Sequence, residues 1–384
     1  MYKSPIQIIR LTAILVVVLV TCSCTSEMKK SRYLARAERY FKAGEYDQAK
    51  IEYLKVLTVD PGNAVAYARC GAIWADEGAP LRAAAFLMKA RELAPKDLDN
   101  RYKLAQLYLR VGQANEAFKE ATEILKQAPD NGPALALLAE TSITPEQNQT
   151  AEQELQKFPQ QDNPYIEVTN AVVAIRKGDL SKAEAALNHA LSLDPKCVQA
   201  HIGLAQLSLN KKDNARAGQE LKAAADLSPV RSWERLTYAE FKLQTGDKEE
   251  ARSYLQDLTK QARDFIGAWV LQAKLAQSDK KYDEVGALLQ NVFNRDPDNI
   301  EGRVVQAQAL IGKGDLKQGT DILERADKSF ANNPLIKYQL ALAYVQGRNT
   351  TQAMNELEQA VKIAPKYVDA IVLLAQLRLR AEGQ

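Results

Sequence analysis

Four cysteines and two histidines offer the most chemistry in this 384-residue chain. Cys197 and His201 stand four apart, so one helical turn could aim both at a metal ion. Two ligands fall short of the four that a structural zinc site needs. His201 sits in a slot that calls for a bulky packing residue, and His189, beside Ala190, is expected in water. Cys70 fills an apolar slot too far along the chain from Cys197 to reach it, so both are expected as free thiols. Cys22 and Cys24 follow an apolar run from Leu11 to Val20. The chain has no Gly-rich phosphate loop, Gly-x-Ser-x-Gly elbow or His-Glu-x-x-His pair, and its carboxylates are scattered. No catalytic group, metal or cofactor is therefore expected.

The remaining residues must act by position, and composition narrows what they build. Hydrophobic residues make up 46% of the chain, enough for a real core. Lys plus Arg number 51 against 48 for Asp plus Glu. That balance gives no basic stripe for nucleic acid and no acidic tail. Aromatics are 7% and alanine is abundant, a mix that suits close-packed helices. Residues 1–23 read as a secretory signal: Lys3 and Arg10, then the apolar run, then small residues. The run is shorter than the roughly 20 residues that span a bilayer. The segment resembles a bacterial lipoprotein signal, which is cut just before a cysteine that then carries lipid. Cys24, preceded by Ser23, fits best, and Cys22, with Leu19 three positions back, is the alternative. An uncleaved anchor and a plain signal peptide are the other readings. Thr25 after Cys24 implies sorting to the outer membrane, with residues 24–29 as a tether.

Prolines then mark a period. Pro61, Pro95 and Pro129 are 34 apart, as are Pro195 and Pro229, and Pro297 and Pro365 follow at double steps. Each ends a helical pattern, because proline lacks an N–H and disfavours helix before it. One slot holds only Ala or Gly: Ala37, Gly71, Ala105, Ala139, Ala171, Ala205, Ala239, Ala273, Ala307, Ala341 and Ala375. A second is almost all alanine, from Ala49 to Ala353, with Val285 and Gly319 departing. Small residues let helix axes come to the short end of 8–10 Å. Gly44, Gly78, Gly112, Gly178, Gly246 and Gly314 share a turn slot between helices.

This 34-residue helix–turn–helix pattern resembles the tetratricopeptide repeat over residues 30–384. The resemblance implies an all-α, right-handed superhelical solenoid of about ten repeats. They begin near residues 30, 64, 98, 132, 164, 198, 232, 266, 300 and 334, with a half-repeat at 368–384. The fourth repeat, broken by Pro145, Pro159 and Pro164 and lacking a turn glycine, is expected to be locally irregular.

First helices of such arrays line a concave groove. One slot facing it reads Glu38, Ala72, Gln106, Glu140, Val172, Gln206, Glu240, Lys274, Gln308, Leu342 and Gln376, a mostly polar ladder. One turn earlier runs an apolar rail: Leu34, Ala68, Tyr102, Ala136, Val168, Ile202, Leu236, Val270, Val304, Tyr338 and Val372. Together they suit other proteins or an extended peptide, with amides meeting backbone and the rail taking side chains. The alternative is a solvated ladder beside a rail packed on the next repeat. The carboxylate clamp of chaperone-binding members is absent, its first-repeat positions being Leu34 and Glu38. The resemblance thus implies a non-catalytic scaffold, lipid-anchored in a bacterial envelope and facing the periplasm. A weaker likeness, to repeat lipoproteins of exopolysaccharide and protein-sorting systems, implies a partner in polysaccharide-export machinery. Two alternatives stay open: the docking arm of a larger enzyme such as a glycosyltransferase, and a cytosolic adaptor.

Overall fold

The computed structural model describes residues 26–159 and 162–382. The apolar run and both candidate lipidation sites, Cys22 and Cys24, lie outside the described residues. All regular structure among the described residues is helical. The chain divides into two compact units, Met1–Leu227 and Ser228–Gln384.

In the first unit, first and second helices alternate. They are α1 (26–42), α2 (Tyr46–Val59), α3 (Ala64–Glu77), α4 (Pro80–Leu93), α5 (Leu98–Arg110) and α6 (Ala114–Gln127). Then follow α7 (Gly132–Thr141), α8 (Pro145–Lys157), α9 (Pro164–Arg176), α10 (Leu180–Leu193), α11 (Val198–Asn210) and α12 (Asn214–Leu227). The second unit holds α13 (Trp233–Gln244), α14 (Lys248–Gln261), α15 (Ile266–Ser278), α16 (Tyr282–Phe293) and α17 (Ile300–Lys313). It continues with α18 (Leu316–Ser329), α19 (Pro334–Gln346), α20 (Thr350–Ile363) and α21 (Val368–Glu382).

Local chemistry sets these bounds. Many first helices open on an Asx cap placed just after the proline loop. Asn63, Asp97, Asn131 and Asn299 each accept a backbone N–H from three residues on, at 2.8–3.0 Å. Each such cap contributes about 1 kcal/mol. The turn glycines close the first helices with φ from +74° to +101°. Lys212, Lys280 and Arg348 occupy the same slot at φ +60°, in a region where side chains are strained. The fourth repeat turns differently. Its α7 stops after ten residues, and Thr144 with Gln147 forms a capping box that starts α8.

The small slots are where the hairpins close. Ala37, Ala105, Ala139 and Ala205 are fully buried, as are Ala239, Ala273, Ala307 and Ala341. A Cβ on Gly71 would lie 2.7 Å from Leu87 Cγ and 3.0 Å from the Leu87 backbone nitrogen. Gly319 departs from alanine for the same reason: its Cβ would lie 2.8 Å from the Ala307 carbonyl oxygen. Ala375, in the same slot of α21, is exposed, since no second helix follows α21 among the described residues.

Hairpins then stack through charged braces. Glu120 on α6 receives Arg91 of α4 and Arg101 of α5, both at 2.5 Å. Arg101 also donates to the Pro95 carbonyl at 2.8 Å. His201 repeats this: it meets Glu220, 19 residues on, at 2.7 Å and the Pro195 carbonyl at 3.3 Å. Its slot is therefore a polar brace rather than plain packing. In the second unit Lys337 meets Glu356 at 3.0 Å and Asp327 at 2.7 Å.

Candidate functional site

Successive first helices touch one another: α3 with α5, α5 with α7, α7 with α9 and α9 with α11. In the second unit α13 touches α15, α15 touches α17, and α17 touches α19. Successive second helices approach less closely. Within each unit the hairpins thus fan about their first helices, which makes the first-helix side the inner face.

The ladder positions differ in their surroundings, and Ala72 is buried. In the first unit Glu38 is tied down: the Tyr53 hydroxyl donates to it at 2.7 Å and Arg69 Nε at 3.3 Å. Tyr102 and Gln106 on α5 are half-buried, and Gln206 on α11 is exposed. Glu140, the last residue but one of α7, is exposed. Desolvation pushes its carboxyl up to about 7, while the charge of Arg176 on α9 pulls the other way. Arg176 itself donates to the Ala139 carbonyl, and desolvation lowers its pKa.

In the second unit Glu240 on α13 is half-buried, and desolvation raises its pKa against the pull of Lys274. Lys274 spends its charge on Glu301, at the start of α17. Gln308 is the centre of a chain of amides. Gln277 on α15 donates to Gln308 at 3.1 Å, and Gln308 donates to Gln339 on α19 at 2.8 Å. The Gln277 carbonyl oxygen and the Gln339 amide nitrogen, at the ends of the chain, have no partner among the described residues. Tyr338 stacks at a tilt on Tyr367, with ring centroids 5.3 Å apart.

Part of the rail is taken up by the core. Ala136, Val168, Leu236, Val270 and Val304 are each under 10% exposed and belong to the core. These five pack hairpins together, whereas Leu34, Ala68, Tyr102, Ile202 and Tyr338 are half-buried and Val372 is exposed. Gln277, Gln339, Glu301 and Arg176 were not singled out from sequence. The signal was present: Glu38 to Arg69, Gln277 to Gln308 and Gln308 to Gln339 are each 31 apart, not 34. A side chain on one first helix meets the next one about a turn earlier. Among the described residues, no three of His, Cys, Asp and Glu gather to hold a metal, and Cys70 and Cys197 are buried free thiols. Burial pushes the Cys70 thiol up to about 12.

Stacked antiparallel helix pairs of this kind define a helical-repeat solenoid. Tetratricopeptide-repeat family models match residues 31–63, 168–231, 209–275 and 336–367. The chain carries tetratricopeptide repeats, an architecture that generally serves protein–protein interaction. It is 28% identical over 131 residues to Superkiller complex protein 3 of Homo sapiens, covering 34% of this chain and 8% of that one. It is 22% identical over 352 residues to DnaJ homolog subfamily C member 3 of Gallus gallus, covering 91% of this chain and 62% of that one. The chain thus spans less than two thirds of either relative. Among solved structures it is similar to yeast Tom70, at 13% identity and TM-score 0.43, covering 93% of this chain and 97% of that one. A tetratricopeptide repeat protein from Parabacteroides merdae is similar at 17% identity and TM-score 0.43, covering 63% and 99%.

Proposed function

We propose that the chain is a non-catalytic scaffold whose inner faces take an extended segment of a partner protein. The amide chain Gln277–Gln308–Gln339 carries this reading. Its internal hydrogen bonds hold the middle side chain in place and leave an acceptor at one end and a donor at the other. An extended backbone offers the matching donor and acceptor. Five of the eleven rail positions are buried, so recognition falls mainly to the polar groups.

The scaffold is lipid-anchored at Cys24, or else Cys22, in a bacterial envelope, faces the periplasm from the outer membrane, and serves envelope biogenesis or polysaccharide export. The apolar run ending at a cysteine pair supports the anchor. No helix among the described residues is long and apolar enough to cross a membrane.

A photo-crosslinking residue at Gln308 or Gln206, compared with one at exposed Gln290 on α16, tests the face used. Partner adducts should form from the first two positions; adducts from Gln290 alone would refute the inner face. Labelling with radioactive fatty acid should be lost in Cys24→Ala, or in Cys22→Ala if that is the anchor. An unlabelled wild-type chain would remove the anchor.

A further inference from the structure

A second concavity lies in the second unit, within a single hairpin and apart from the amide chain. It is a cleft of about 220 Å³ lined by Asp298, Arg303, Ile322, Arg325, Ser329 and Phe330, with Ala326 in its floor. Ile322 and Ala326 are buried, so the floor is apolar. The rim is polar and carries two guanidinium groups.

Neither guanidinium has an ion pair among the described residues. Arg303 is held by neutral groups: it donates to the Pro297 carbonyl at 2.9 Å and to Gln306 at 3.2 Å. Its plane lies over the Phe293 ring, 4.2 Å from the centroid. Arg325 donates through Nε to the Asp321 carbonyl of its own helix at 3.2 Å. Each guanidinium has five N–H donors, so both retain donors for a ligand.

We propose that this cleft binds a small organic carboxylate with an apolar body. Two planar guanidiniums suit the two oxygens of a carboxylate. Ile322, Ala326 and Phe330 suit an aromatic or branched body. Asp298 on the rim opposes a second negative charge, which favours a monoanion over phosphate. The volume is below the roughly 300–1,000 Å³ of drug-sized sites, so the ligand is no larger than one amino-acid residue.

The test is ¹⁹F NMR of 4-fluorobenzoate with the full chain. The wild type should broaden the line saturably. Arg325→Gln should weaken binding about ten-fold without changing the melting point, since its bond lies within α18. Ser329→Phe, at the exposed rim, should block binding without altering charge. Benzyl alcohol should not compete, and inorganic phosphate should compete less well than benzoate. An absence of saturable broadening, or broadening equal in both variants, would overturn the site. Better competition by phosphate would overturn the assignment of a carboxylate.

Discussion

Glu140 and Gln308 hold the same position on their first helices, eight residues after Gly132 and Ile300, yet their surroundings are opposite. Gln308 is bonded on both sides by amides 31 residues away. Glu140 accepts no hydrogen bond among the described residues, and desolvation raises its pKa to about 7. Thus a shared slot in the repeat does not fix what a residue does on the inner face. Its neighbour is set by the diagonal between first helices, and the diagonal finds a glutamine in one unit and none in the other.

The largest way to break this contrast is to remove the nesting beneath it. Ala307→Leu places a large side chain in a fully buried slot of α17, against α18. It should cost about 3 kcal/mol and broaden the melt of the second unit, read by chemical denaturation. The first unit should keep its stability.

Glu140→Gln sharpens the contrast. The folded pKa of Glu140 lies above the ordinary carboxylate value of 4.5, so the native state binds the extra proton. Its contribution is fully favourable below about 4.5 and is lost as pH rises through about 7. Wild-type stability should therefore fall, relative to Glu140→Gln, across that window. The difference should be about 1 kcal/mol after allowing for solvent screening of an exposed group. Parallel pH profiles of the two proteins would show that Glu140 is ordinarily solvated.

A smaller effect comes from the turns. Lys280→Gly relieves a side chain held at φ +60° but adds freedom to the unfolded chain. The two oppose, leaving a gain of about 0.5 kcal/mol. Gly246→Ala, at φ +88°, should instead destabilise.

Much of the fold was legible because steric exclusion writes itself into single positions. A residue that must be small, such as Gly71 against Leu87, cannot vary, so the period survives in the sequence. The turns were only partly legible. Lys212, Lys280 and Arg348 adopt the glycine conformation without being glycine, because the flanking helices fix the turn and the strain is small enough to bear. The inner face was legible as polar but not in its pairing. A period of 34 tells which residues share a slot, whereas helix stagger decides which ones touch. The rail was legible only in part for a related reason: Val168 and Val304 look alike on paper whether they face a ligand or the next hairpin, and burial places these two in the core.

The diagonal is the claim on which the inner face rests, and a pair of double-mutant cycles tests it directly. Gln277→Ala with Gln308→Ala, 31 apart, should show a coupling of about 0.5 kcal/mol. Lys274→Ala with Gln308→Ala, which share a slot 34 apart, should be additive within error. Coupling in the second cycle and none in the first would contradict the account.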